Sequence, residues 1–118
     1  MTTIDGYGVP QLRVIPLREL RESALNTRRH FDPVKLAELR ESIAKSGILT
    51  PLLVRPFNGR GKGSFELAAG HRRLRAAREA GITEAPCIVQ DLDDATFLEI
   101  LTVENLQAPR VARERERA

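Results

Sequence analysis

Cysteine is almost missing from this chain. Cys87 is the only one among 118 residues, which excludes an internal disulfide framework and suits a reducing cytoplasm. Tryptophan is absent and aromatic residues make up 4%, so the core must be aliphatic. No apolar run approaches the ~20 residues that a membrane helix needs. The start, Met1-Thr2-Thr3-Ile4-Asp5, lacks the basic and apolar regions of a secretory signal. Lysine is scarce: sixteen of the nineteen basic residues are arginine. There is no Walker loop, no dinucleotide glycine fingerprint and no Ser/His/Asp pattern. The two histidines, His30 and His71, have no cysteine nearby and form no metal-ligand spacing.

What remains fits one domain of ordinary size. Hydrophobic residues reach 42%, enough for a single core, and charged residues reach 30%. The formal net charge of +3 is unevenly spread. Residues 110–118 hold four arginines and two glutamates, so the rest of the chain is nearly neutral. Within that near-neutral part, residues 70–78 concentrate four arginines and no acid. Arginine presents a planar fork that suits phosphate and carboxylate, which lysine does not.

Residues 1–10 read as a flexible lead-in, 11–108 as the folded domain and 109–118 as a charged tail. Gln11 to Ile15 alternates as a strand that Pro16 closes. Leu17 and Leu20 share one face of a short helical turn. Asp32 is a good N-cap, Pro33 suits the first helical position and Gly47 a left-handed end, which predicts a helix over 33–46. Leu36, Leu39, Ile43 and Ala44 line its apolar face. Strands follow at 52–55 and 64–69, then a helix at 71–80, a strand at 86–90 and a helix at 95–108 capped by Asp93 or Asp94. The order strand, helix, strand, strand, helix, strand, helix argues for a compact α+β or α/β domain.

The segment Gly70-His71-Arg72-Arg73-Leu74-Arg75 is the leading candidate site. A strand ends, a glycine turns the chain and a helix begins, so free backbone N–H groups and the helix dipole attract an anion. At 100° per residue, His71, Arg72, Arg75 and Arg78 fall in one outward arc of about 120°. Arg73 falls on the apolar side and needs a carboxylate or phosphate partner. The segment is read as a grip on phosphate groups, those of a nucleotide, against the simpler reading of a solvated arginine face. On the last helix, Glu104 shares the packed face of Phe97 and Leu101, with Asn105 beside it. The pair serves either a structural salt bridge or a Mg²⁺ or phosphate site, since carboxylate and amide oxygens are hard ligands. Arg28, in the loop Thr27-Arg28-Arg29-His30-Phe31, is placed to close over an anion.

Four blocks, in this order, resemble the N-terminal domain of the ParB partition proteins. They are Asn26-Thr27-Arg28-Arg29-His30-Phe31-Asp32, Gly47-Ile48-Leu49-Thr50-Pro51-Leu52-Leu53-Val54-Arg55-Pro56, Phe65 to Ala77, and Val103-Glu104-Asn105-Leu106-Gln107. The resemblance spans about residues 12–107. It implies a compact α+β domain, a small mixed sheet flanked by helices. It also implies CTP bound with Mg²⁺, slow hydrolysis of the CTP, and nucleotide-dependent homodimerisation around DNA. Gly70, Arg72 and Arg73 would contact the triphosphate, with His71 and Arg75 in the same segment, and Arg28 would reach it from its loop. Glu104 and Asn105 would serve the Mg²⁺ end and hydrolysis. The location implied is cytoplasmic, at a nucleoid or plasmid. Where the family has Glu, this chain has His71, and Ala108-Pro109 replaces the family's arginine after the Glu-Asn-Leu-Gln run. The helix-turn-helix that reads a DNA site is not expected within these residues, and the chain is read as a fragment or a stand-alone version.

Two other readings stay open. A kinase or nuclease on the same scaffold could use Glu66, His71 or Glu104 as a base. A regulatory adaptor would need no nucleotide. A sulfiredoxin activity does not fit, because its reactive cysteine would fall at Gly70.

Overall fold

The computed structural model describes residues 9–26, 31–57 and 64–104. Strand β1 (Gln11–Pro16) leads through a 3-10 turn (Leu17–Glu19) into β2 (Leu20–Glu22). Helix α1 (Pro33–Ser46), strands β3 (Leu52–Pro56) and β4 (Phe65–Ala69), helix α2 (His71–Glu79) and strand β5 (Glu84–Val89) follow. A third helix, α3, covers 94–104 of the described residues. The α+β class expected from the sequence is the one observed. The expected loop residues 27–30, the helix end 105–108 and the tail 109–118 lie outside the described residues.

Local signals account for most boundaries. Asp32 accepts the Val34 N–H at 2.9 Å, Pro33 opens α1, and Gly47 ends it with φ 75°. Of the two candidate caps for α3, Asp93 takes the role by accepting the Thr96 N–H at 2.8 Å. That bond holds its carboxyl below the ordinary value. On α1, Ile43 is buried and Leu36 and Leu39 pack against the core, but Ala44 is exposed, contrary to expectation. Leu20 also departs from the expected helical turn. It opens β2, which pairs in parallel with β4 from Leu20↔Phe65 to Glu22↔Leu67. Three residues whose partners lie so far along the chain leave no periodic signal to read.

The five strands run in the order β1-β5-β3-β4-β2. Alternation along the central strands loads both faces. Leu52, Val54 and Leu67 join Ile43, Leu74 and Ala77 beneath α1 and α2. Ala68 and Leu53 face the other way and pack with Phe97 and Leu101 of α3. β1 and β2 are neighbours in sequence yet hold opposite edges. Four residue steps, from Pro16 to Leu20, reach at most ~14 Å. Five strands laid flat would set their outer pair ~19 Å apart. The sheet is therefore curled, and Arg13 of β1 lies 5.4 Å from the ring centre of Phe65 in β4. Ile15, Leu17 and Leu20, all buried, join the core cluster beneath this curl.

Cys87 sits fully buried in the core face of β5, and burial pushes its thiol up to about 11. The thiolate is the reactive form. Near neutral pH the folded chain should therefore leave a disulfide-exchange reagent unreacted, and denaturant should release one thiol equivalent per chain. Absorbance of the released aromatic thiolate measures both states.

Candidate functional site

The site is built where β4 becomes α2. Gly70 takes φ 103° and ψ 28°, a left-handed conformation that side chains rarely adopt. A Cβ there would lie 2.6 Å from Leu52 Cδ2 and 3.3 Å from Arg73 Nη2. The turn aims the first N–H groups of α2 away from the sheet, where no carbonyl of the helix can meet them. One of these donors is filled by a carboxylate. The Gly70 N–H donates to Glu104 Oε2 at 2.6 Å. His71 Nδ1 lies 2.6 Å from Glu104 Oε1. An ionised carboxylate only accepts, so the shared proton is placed on Nδ1.

Glu104 reaches this point because the rest of α3 is anchored. Phe97 and Leu101 are buried, and Arg55 binds the start of the helix. The Arg55 guanidinium pairs with Glu66 at 2.8 Å, donates to the Leu92 carbonyl at 2.9 Å, meets Asp94 at 3.0 Å and stacks over Phe97 at 3.8 Å. Burial acts to raise the Glu104 carboxyl. The His71 side chain and the Gly70 N–H outweigh it, and the net shift is below the ordinary value. Glu104 thus stays ionised, three-quarters buried, on the positive end of α2.

The arginines of α2 divide by what they touch. Among the described residues Arg72, half-exposed in the first turn, has no hydrogen-bond or ion-pair partner. Arg73 donates through Nη1 to the carbonyls of Thr50 at 2.6 Å and Pro51 at 2.8 Å. Of the carboxylate or phosphate expected as its partner, no carboxylate among the described residues fills the role, and two backbone oxygens do. Burial lowers its guanidinium from the usual value, and the Glu104 charge opposes that shift. Arg75 lies 4.4 Å from the Phe31 ring centre and 3.4 Å from Glu22, and Arg78 donates to the Leu20 carbonyl at 3.0 Å. His71 is corrected too. It was expected to face outward with Arg72 and Arg75, but it is 1% exposed. The helical wheel assumes one open side along the whole helix, whereas the end of α3 covers the first residue of α2.

Gly70, His71, Arg72, Arg73 and Glu104 thus come together, while Arg75 serves the β2 side. Arg28 and Asn105 lie outside the described residues. Glu66, a candidate base, is engaged by Arg55 in a pair whose side chains are 12% and 6% exposed. No group of three or more histidine, cysteine or acidic residues able to hold a metal occurs among the described residues. Sequence reasoning missed Arg55 and the Thr50 and Pro51 carbonyls. Arg55 had a signal: it and Glu66 are opposite charges on two strands joined by a hairpin. The carbonyls had none, because any residue supplies one.

A family model for the ParB N-terminal domain matches residues 1–106. The chain is 47% identical over 102 residues to the chromosome-partitioning protein Spo0J of Thermus thermophilus, covering 86% of this chain and 35% of that protein. It spans about a third of the length of the curated relatives it matches. Two solved structures of a C-terminally truncated chromosome-partitioning protein ParB from Caulobacter crescentus are similar. The complex with CTP-γ-S superposes with a TM-score of 0.73 at 39% identity, over 82% of this chain and 53% of that one. The complex with the centromeric parS site gives 0.70 at 38% identity, over 80% and 47%.

Two outcomes follow from this geometry. Gly70→Ala must strain a left-handed residue and push on Leu52, so it should lose roughly 2 kcal/mol or more in urea unfolding. Glu104 contributes stability that is fully present above its ordinary value of 4.5 and is lost as pH falls through its lowered folded value. The urea midpoint of the wild type should exceed that of Glu104→Gln near neutrality, and the gap should close in acid.

Proposed function

The chain belongs to the ParB N-terminal domain family, and from that premise we propose that it is a CTP-binding switch module of a DNA-partition protein. The observation that carries this is the start of α2. It already holds an anionic group on the Gly70 N–H at 2.6 Å, and the nearby Arg72 has no partner among the described residues. A helix start with a glycine and an arginine is a seat for phosphate. Arg72 is the arginine free to meet a phosphate oxygen. Arg73 borders the seat through Nη2 while its Nη1 fastens the Thr50–Pro51 backbone, so it shapes the wall of the pocket. In this reading Arg28 approaches from its loop. His71 and Arg75 act from the same helix, His71 through Glu104 and Arg75 by holding Phe31.

Mg²⁺ fits this donor set in one way. The ion takes one or two carboxylates and completes its shell with phosphate oxygens and water. Glu104, ionised and next to the seat, supplies one such carboxylate, and Asn105 is the residue proposed beside it. When bound, the ion neutralises phosphate charge. Slow CTP hydrolysis would rest on the same two residues. With His71 where the family has Glu, one carboxylate fewer is available. Nucleotide-dependent homodimerisation, closure around chromosomal or plasmid DNA and a cytoplasmic, nucleoid- or plasmid-associated location complete the proposal. Both similar ParB structures extend well beyond the region matched here, so reading of a DNA site is not credited to this segment.

Calorimetric titration with CTP, ATP and GTP in the presence of Mg²⁺ tests the reading, with CTP expected to bind. Failure of all three at millimolar concentration would sink it. Arg72→Ala should weaken CTP binding roughly tenfold or more, the scale of one charge-assisted contact. It should leave the melting temperature nearly unchanged, because Arg72 makes no hydrogen bond or ion pair among the described residues. A loss of stability equal to the loss of binding would contradict the assignment.

A further inference from the structure

Phe65 opens β4 and Gly70 follows its last residue. The length of that strand, about 17 Å, separates the anion seat from the base of the β3–β4 hairpin. There the first stretch of the chain runs beside the hairpin. Arg13 lies 5.4 Å from the Phe65 ring centre, the Ser64 hydroxyl donates to Glu19 at 2.6 Å, and Arg21 lies 4.2 Å from the Phe57 ring centre. The Phe57 N–H closes the hairpin on the Ser64 carbonyl at 2.8 Å. We propose that Arg13, Arg18 and Arg21 form a surface that grips the phosphate backbone of double-stranded DNA without reading its sequence. The choice of DNA as the polyanion rests on the DNA-partition reading, whereas the surface itself needs no nucleotide.

Three observations carry it. The first is open donors. Arg55, Arg73 and Arg78 give their N–H groups to carbonyls and acids. Arg13 and Arg21 lie over rings instead, and Arg18 is exposed. None of the three makes a hydrogen bond or ion pair among the described residues, and even the buried Nε of Arg21 meets no acceptor. A ring attracts the cation through its face and leaves the in-plane N–H groups free. The planar fork is then available to phosphate oxygens.

The second is the local charge. The nearby acids are already engaged: Glu19 by the Ser64 hydroxyl, Glu22 by Arg75 at 3.4 Å, and Glu66, the β4 partner of Arg21, by Arg55 at 2.8 Å. Residues 58–63, which join the two stems of the hairpin, lie outside the described residues; their sequence adds Arg60 and Lys62 and no acid. The balance at this end of the sheet is therefore positive. The third is spacing. The three arginines sit along one stretch, from β1 through the 3-10 turn to β2, and share no partner. They offer a row of separate charges, which matches the repeated phosphates of a duplex. The convergent donors at Gly70 match one phosphate chain.

Fluorescence anisotropy tests the surface, using the full chain without nucleotide or Mg²⁺ and a labelled duplex of roughly 20 base pairs and arbitrary sequence. The duplex should bind at low salt, and log affinity should fall linearly with log salt concentration. Arg13→Gln combined with Arg21→Gln should weaken binding roughly tenfold or more and lower the salt slope by about two. Arg13→Lys combined with Arg21→Lys should recover most of the slope, which separates lost charge from a disturbed fold. Arg18→Gln removes a charge that has no partner among the described residues, and should lower the slope by about one. Lys35→Gln combined with Lys45→Gln removes two exposed charges from α1 and should leave duplex binding nearly unchanged. Absence of duplex binding at low salt overturns the proposal. So does an unchanged slope in Arg18→Gln, or an α1 pair that matters as much as Arg13 and Arg21. Poly-glutamate that displaces the duplex as well as unlabelled DNA does would also overturn it, by making this a surface for acidic proteins. Duplex binding through these arginines in a chain that binds no CTP would keep the surface and sink the nucleotide reading. CTP binding without duplex binding would sink the surface alone.

Discussion

Everything at this site depends on how closely Leu52 approaches Gly70. The side chain of β3 fills the space where any other residue would carry a Cβ. With no Cβ to clash, Gly70 makes a left-handed turn directly after β4, and the turn fixes where α2 starts. A residue with a side chain at position 70 would displace the helix start or the strand beneath it. The same backbone that completes the apolar core under α2 thus exposes an anion seat at its edge. Stability and recognition meet in one residue whose side chain is a hydrogen atom.

Around that turn, four arginines in nine residues do different work. Arg73 closes two backbone carbonyls, Arg78 closes one, and Arg75 stacks on an aromatic ring. Arg73 and Arg78 thereby satisfy carbonyls that burial would leave without partners. Only Arg72 is left without a partner among the described residues. The basic character of the segment is therefore largely structural, and net charge overstates how much of it faces a ligand. Arg55 extends this pattern to the other face of the sheet. There a buried pair with Glu66 is joined by a carbonyl, a second acid and a ring, all at the entry to α3.

Much of the fold was legible because its signals are local. Asp32, Pro33 and Gly47 bracket α1 by their backbone preferences alone, and Phe97 with Leu101 announced the buried face of α3. The role of Gly70 was legible for the same reason, since a strand, a glycine and a helix follow one another directly. β2 was not legible, because its pairing with β4 is a property of two distant segments. Nor was the burial of His71, because the cover comes from Glu104, thirty-three residues away. The helical wheel placed the arginines of α2 correctly and misplaced the histidine. Periodicity describes the middle of a helix, whereas the environment of its ends belongs to whatever packs over them. Glu104 was correctly singled out as a costly charge on a packed face. Of the two partners expected for it, the arginine is replaced by a backbone N–H and an imidazole.

The position of β1 and β2 has a consequence for the order in which the protein is made. These strands come first from the ribosome, yet they lie on opposite edges of the curled sheet, against β5 and β4. Neither has a neighbour in its own part of the chain to pair with. β1 meets its partner only after synthesis has passed Val89, whereas β2 needs only β4, which ends at Ala69. Together the two strands cover both edges of the three inner strands. The stretch from Gln11 to Glu22 thereby acts as a strap that reaches from one edge of the curled sheet to the other.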